Sequence, residues 1–355
     1  MKIAVSLAGG AALAAASVLA ARRSRDDIRG EVAVVTGASR GLGLLLAREL
    51  ARHGCPLVIC ARDAAGLERA AAGLRAGGAE VTAVACDVTD ESAAQRLVDT
   101  AVDHYGRVDI VVSNAGIIQV GPVVNAEASQ FETALDTMAL APARLALAAL
   151  PAMRRQHHGR IVTVASIGGK MSVPHLLPYS TAKFAAVGFS EGLRAELGRG
   201  PVTVTTVVPG LMRTGSHVQA RFTGQAEEEF TWFSLGASLP LISMDAERAA
   251  SQIVEAVRGR RAEIILTPAG QVVSRVASLS PSLTSAVLHL VQRLALPRPA
   301  VTGTGDEGTP GYRLSPAMNS KAFDRLTVLG RAAASRFNET RPSVAPERAP
   351  RDRSV

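Results

Sequence analysis

The sequence predicts an α/β protein: a doubly wound parallel sheet in a single domain, with extensions at both ends. Three observations predict it. Short β-branched runs alternate with helical stretches along most of the chain. A glycine-rich turn joins the first strand signal to the first helix. The 355 residues suffice for one large domain, and at 47% apolar they can fill a sizeable core of Ala, Val and Leu.

The first strand signal is residues 32–35 (VAVV), followed by the turn at 36–43 and a helical stretch at 44–53. Strand 57–60, helix 64–76, strand 81–85, helix 92–105 and strand 110–112 come next. Parallel neighbours need a crossover between them, so repeated βα units lay strands side by side with helices on both faces. Further strands are read at 161–165, 202–208 and 263–266, which gives a main domain over 26–266. Within the extension at 267–297, Pro281 opens a helix whose Leu283, Val287, Leu290, Val291 and Leu294 share one stripe. His289, Gln292 and Arg293 interrupt it, so it should not span a bilayer. The stripe suits a membrane surface, a cover over a cleft or the protein's own core. From Arg298 onward Gly, Pro, Thr and charge dominate. This stretch, 298–355, reads as a mostly disordered tail with a short helix near 321–337.

Residues 3–21 carry no charge and are nearly long enough to cross a bilayer, although rich in alanine. The segment 1–25 reads as an uncleaved membrane anchor, with a cleaved leader or an alanine-rich soluble helix as alternatives. Arg22, Arg23, Arg25 and Arg29 follow the run, against Lys2 before it, which keeps the main domain cytoplasmic. A soluble cytoplasmic protein is the alternative. Of the net charge of +8, residues 1–30 hold +3, residues 298–355 hold +4 and the middle holds +1. A nucleic-acid binder would carry its basic patch on the folded domain, so no nucleic-acid partner is expected. Cys55, Cys60 and Cys86 match no zinc spacing and read as reduced, buried thiols. His157 and His158 lack further ligands at metal spacing, so no metal site is expected.

The turn reads Thr36-Gly37-Ala38-Ser39-Arg40-Gly41-Leu42-Gly43, a G-x-x-x-G-x-G pattern. A helix N-terminus offers free N–H groups and positive dipole to a pyrophosphate, and glycines let the backbone approach it. Downstream, strand 161–165 leads into Ser166, Tyr179 follows thirteen positions on, and Lys183 four beyond that. Residues i and i+4 share a helix face, so Tyr179 and Lys183 can point at one site. A nearby ammonium favours the phenolate, so Lys183 is expected to lower the Tyr179 pKa and fit it for proton transfer.

With Asn114-Ala115-Gly116 between them, these motifs resemble the short-chain dehydrogenase/reductase family over residues 28–266. The resemblance implies a Rossmann-like sheet and an oxidoreductase moving a hydride between a nicotinamide and a carbonyl or secondary alcohol. It implies Tyr179 as proton donor or acceptor, Ser166 as the group holding the substrate oxygen, and Lys183 also on the nicotinamide ribose. It places Gly37, Ser39, Arg40, Gly41, Leu42 and Gly43 on the cofactor phosphates, and Asp87, Val88, Asn114, Ala115 and Gly116 around the adenine. Pro209, Gly210 and Thr214 would lie beside the nicotinamide. Relatives that use NAD carry an acid at the end of the second strand, where this chain reads Ala61-Arg62. Arg62 with Arg40 suits a 2′-phosphate, so NADP is the expected cofactor, with Asp63 nearby as a counter-signal. The sequence departs from the family at Met138, where an asparagine usually helps hold a water beside the lysine.

Residues 211–244 should flap over the substrate. They hold the only tryptophan, Trp232, and three of the eight phenylalanines, Phe222, Phe230 and Phe233. An apolar pocket and a lipophilic ketone or alcohol are therefore expected. A homodimer or homotetramer is expected by resemblance. A cofactor-binding scaffold or sensor, weakened by Met138, is the rival reading. An epimerase or dehydratase holding NAD fits Tyr179 and Lys183 but not Arg62.

Overall fold

The computed structural model describes residues 26–240, 242–300, 308–318 and 320–340. The membrane-anchor expectation at 3–21 lies outside them, as do 301–307 and 341–355 of the tail. In chain order the first half runs β1 (Ala33–Thr36), α1 (Gly41–Arg52), β2 (Leu57–Ala61), α2 (Ala64–Ala76), β3 (Val81–Ala85), α3 (Ala93–Tyr105), β4 (Ile110–Ser113) and β5 (Gln119–Val120). Helix α4 (Ala128–Leu135) continues through a π-helical turn at Asp136–Leu140 into α5 (Ala141–Arg155). Then come β6 (Gly159–Val164), α6 (Leu177–Leu197), β7 (Val202–Val208), β8 (Met212–Arg213), β9 (Arg221–Phe222), α7 (Ala226–Ser238), β10 (Met244–Asp245), α8 (Ala246–Arg258) and β11 (Glu263–Ile265). The chain closes with α9 (Pro268–Leu279), α10 (Pro281–Ala295), β12 (Thr309–Pro310), α11 (Gly311–Leu314), α12 (Lys321–Leu326) and α13 (Val328–Arg336).

Seven parallel strands form the main sheet in the order β11-β7-β6-β4-β1-β2-β3. This is the Rossmann-like arrangement, and the order reverses between β1 and β4. The central strands are buried on both faces, so β1, β2 and β4 read as continuous apolar runs rather than alternating ones. One face packs on α1, α2 and α8 through residues such as Leu45, Leu67 and Ile253. The other packs on α3 and α5 through Leu97, Leu145 and Met153. The helix spanning Ala128–Arg155 is long and apolar enough to cross a membrane, but half of its apolar window is buried in this core.

At the ends one expectation changes, and one choice left open by the sequence narrows. Residues 308–318 and 320–340 of the tail fold onto the domain instead of staying disordered. Leu314 and Phe323 enter an apolar cluster with Phe222, Phe230 and Phe233, while Ala333 and Phe337 join the core around α1 and α8. Sparse, irregularly spaced apolar residues suffice there because the main domain supplies the complementary surface. The stripe on α10 stays exposed: Leu283, Val287, Leu290 and Leu294 are each at least half accessible. Among the described residues it does not pack on the protein's own core.

Candidate active site

The glycine turn is locked from beneath by Thr36. Its Oγ1 accepts from the Asn114 and Ala115 amides at 3.0 and 3.1 Å. Asn114 Nδ2 returns bonds to the Thr36 and Gly37 carbonyls at 3.0 and 3.3 Å. Asn114, Ala115 and Gly37 are thus brought together at the switch point between β1 and β4. Gly37 sits at φ +67°, and a Cβ there would lie 2.8 Å from the Ala115 backbone. At Gly43 a Cβ would lie 2.5 Å from Asn114 Nδ2. The sequence suggests a helix from residue 44, but α1 begins at Gly41, so Gly41 and Gly43 lie in its first turn.

At the adenosine end, Arg40 pairs with Asp63 at 3.3 Å, and Arg62 lies 4.0 Å from Asp87. Asp63 is buried, caps α2 by accepting from the Gly66 amide, and was not among the expected site residues. Asp87 also accepts from the Thr89 amide and hydroxyl, which fixes the Asp87-Val88 turn. Both arginines therefore face acids.

At the opposite end of the cleft, Ser166 ends β6 and Tyr179 and Lys183 lie on α6. Ser166 Oγ accepts from the Gly168 amide at 3.1 Å, and a Cβ at Gly168 would lie 3.2 Å from the Tyr179 ring, so the Ser166 turn packs against the phenol. Lys183 Nζ donates to the Val164 carbonyl at 2.7 Å and stands 5.7 Å from the centre of the Tyr179 ring. Burial pulls Lys183 down to about 8. The expectation that its ammonium lowers the Tyr179 pKa is not met in this state. Burial raises the phenol above its ordinary value, and the nearby Ser166 hydroxyl only opposes that. Pro209 O accepts from the Ile167 amide at 2.8 Å, which ties the segment carrying Gly210 and Thr214 to the Ser166 turn. Thr214 is buried, and its Oγ1 accepts from the Ser216 amide.

Met138 occupies the π-helical turn, a local widening that often marks functional sites. It is buried against Ala134 and Ala182, with Tyr179 alongside. Its Sδ comes within 3.4 Å of where a Gly116 Cβ would stand. A thioether fills the place from which an amide could hold water.

The aromatic flap does not form an open pocket. Phe222 meets Phe230 edge-on at 5.4 Å and Phe233 at 6.0 Å, and Leu314 and Phe323 from the C-terminal segment close over them. Tyr179, Ile118, Val173 and Leu235 border this cluster. Glu229, wholly buried, holds the flap by accepting from Trp232 Nε1 at 2.6 Å and pairing with His175 Nδ1 at 2.7 Å. A separate open cleft of about 570 Å³ lies between the loop at 170–174, Phe184 on α6, and α10.

The C-terminal segment also reaches the glycine turn. Phe337 O accepts from the Gly41 amide at 2.9 Å, and Asn338 Nδ2 donates to Ser39 O at 3.2 Å. These residues, with Glu339 beside them, were invisible to sequence reasoning. They follow no motif, and only the tertiary fold carries them to residue 41.

Residues 31–223, more than half of the chain, match the short chain dehydrogenase family. The chain belongs to that family. Dehydrogenase/reductase SDR family member 4 of Oryctolagus cuniculus is 35% identical over 206 residues, covering 58% of this chain and 79% of the relative. A short-chain dehydrogenase/reductase of Burkholderia phymatum, solved with NAD, superposes at a TM-score of 0.67 with 28% identity over 72% of this chain and 96% of its own. The F189W form of actinorhodin polyketide ketoreductase, solved with NADPH, gives a TM-score of 0.58 and 32% identity over 66% of this chain and 95% of its own. The family and these relatives support a hydride-transferring oxidoreductase that uses a nicotinamide cofactor.

Proposed function

We propose that the chain is an NADP-dependent oxidoreductase acting on a carbonyl or secondary alcohol of a lipophilic small molecule. The observation that carries the reading is the meeting of Ser166, Tyr179 and Lys183 beside a glycine turn built at the sheet's switch point. The Gly37 and Gly43 positions admit no side chain, which suits close backbone approach to a dinucleotide. The bound nicotinamide would supply or accept the hydride. Ser166 holds the substrate oxygen and stabilises charge that develops on it. Tyr179, protonated at neutral pH, gives its proton to that oxygen in the reducing direction. Lys183, fixed on the Val164 carbonyl, keeps a positive charge near the phenol as the proton leaves.

Arg40 and Arg62 support NADP, because guanidinium groups bind a 2′-phosphate through charge and paired donors. One reported neighbour, solved with NADPH, supports this choice, whereas the other was solved with NAD. The Arg40–Asp63 ion pair favours a second reading, NAD, since a carboxylate there can accept from both ribose hydroxyls. Titrating both reduced cofactors separates the two. NADPH should bind at least roughly tenfold tighter, a difference of about 1.4 kcal/mol. Tighter NADH binding would overturn the NADP assignment.

Ile118, Val173 and Leu235 beside Tyr179 support an apolar substrate. The exposed stripe on α10 supports membrane association, together with residues 3–21 and a catalytic domain on the cytoplasmic side. Leu140, Leu147, Leu177 and Phe184, exposed along α4–α6, support a homodimer or homotetramer.

A further inference from the structure

An anion belongs at the start of α1. Its first amides have no partner within the helix, and its dipole is positive there. In this structure the C-terminal segment takes that place. The Gly41 amide is already spent on Phe337 O at 2.9 Å. Glu339 Oε1 lies 2.6 Å from where a Gly41 Cβ would stand, and Thr214 Cβ lies 3.9 Å from the same point. The Glu339 side chain therefore lies between the glycine turn and the segment expected beside the nicotinamide. Glu339 is 4% exposed, and its Oε2 has no hydrogen-bond partner among the described residues.

The placement is built rather than incidental. Helix α13 ends at Arg336, and just beyond its cap Asn338 takes φ +62°, a left-handed conformation that Asn tolerates, while the Glu339 amide returns to Ala334 O at 2.8 Å. This reversal turns the chain back over Gly41. Gln219 Nε2 donates to Glu339 O at 2.6 Å. Gly215, at φ +87°, lets α13 pack so closely that a Cβ there would lie 2.5 Å from Ala334 Cβ. Further along, Leu314 and Phe323 of the same segment close the aromatic cluster that borders Tyr179.

We infer that the described tail residues 308–318 and 320–340 form an autoinhibitory strap, with Glu339 standing where the cofactor's pyrophosphate binds, so that the dinucleotide binds only when the strap leaves. The inference rests on the dinucleotide reading above. Burial pushes the Glu339 carboxyl up to about 7, against the pull of Arg40, so above that pH it carries the charge that the helix start favours. A site blocked most of the time shows an apparent affinity reduced by the fraction that is open.

The test pairs NADPH titration of the unaltered chain and of Glu339→Ala with hydrogen exchange of residues 328–340 in the unaltered chain. The strap predicts NADPH binding at least roughly tenfold tighter in the variant. It also predicts faster exchange across 328–340 when NADPH saturates the unaltered chain, a readout that needs no variant to fold. Unchanged or weaker binding by a folded variant overturns the strap, as does exchange that stays constant or slows, and either result leaves the oxidoreductase reading standing. Failure of both NADPH and NADH to bind either chain overturns both.

Discussion

Replacing Gly43 by alanine tests whether the turn beneath α1 is as tightly built as the distances state. The new methyl would stand 2.5 Å from Asn114 Nδ2 and 2.8 Å from the Gly37 carbonyl carbon, where ordinary contact begins near 3.4 Å. Neither neighbour can yield freely. Asn114 Nδ2 is bound to the Thr36 and Gly37 carbonyls, and Gly37 is itself held against Ala115. Overpacking costs about 1–3 kcal/mol, and loss of one Asn114 hydrogen bond adds about 1 kcal/mol. A total of about 2–4 kcal/mol should lower Tm by about 4–16 °C in a domain of this size. Nicotinamide nucleotide binding should weaken at the same time, because the turn that must shift carries the phosphate-facing amides. Gly73→Ala is the control. Gly73 lies within α2, a Cβ there meets nothing within 4 Å, and the change should stabilise by about 0.5–1 kcal/mol. Thermal unfolding and fluorescence titration read both variants. A Gly43→Ala protein with the parent's Tm and affinity would refute the account of the turn.

Two further predictions concern the proton path. Met138→Asn should raise kcat severalfold by restoring an amide able to hold water near Lys183. It should also lower Tm, since one water leaves part of the buried amide's hydrogen-bonding capacity unmet, at a cost of about 1–3 kcal/mol. Met138→Leu should leave kcat nearly unchanged, and equal kcat in the two variants would argue against the water role. Lys183, brought down to about 8 by burial, is charged below that pH and neutral above it. For a cationic lysine on the proton path, kcat/KM for reduction should be level below pH 8 and fall as pH rises through it. A profile flat to pH 10 would contradict that role. The same depressed pKa means folding stability should rise between pH 8 and the unfolded value of 10.5, where the unfolded chain binds more protons.

Much of the sheet was legible because its signals are local. Runs such as VAVV at 32–35 are apolar throughout because central parallel strands are buried on both faces. The Tyr179–Lys183 spacing fixes a shared helix face whatever the surroundings. The start of α1 was misplaced by three residues, because glycines read as loop although Gly41 already has a helical place. Nothing in the motif marks Thr36 as the post that holds Asn114, since a lone hydroxyl announces no partner. The aromatic flap was read as a pocket, because composition cannot say that Leu314 and Phe323 arrive from about a hundred residues away to fill it. Glu339 was illegible for the same reason: one acid in a charged tail acquires meaning only when a left-handed Asn338 turns it onto Gly41. The Tyr179 pKa was misjudged because the charge partner was counted and the desolvation was not.

The central claim is that Tyr179 transfers a proton as a hydride moves to or from an apolar substrate. The most direct test follows NADPH oxidation by the purified chain against a panel of apolar ketones, alongside Tyr179→Phe. The account predicts turnover by the parent and a loss of at least roughly a hundredfold in the variant, as removal of a general acid implies, with NADPH affinity nearly unchanged. Turnover that survives the substitution would contradict it.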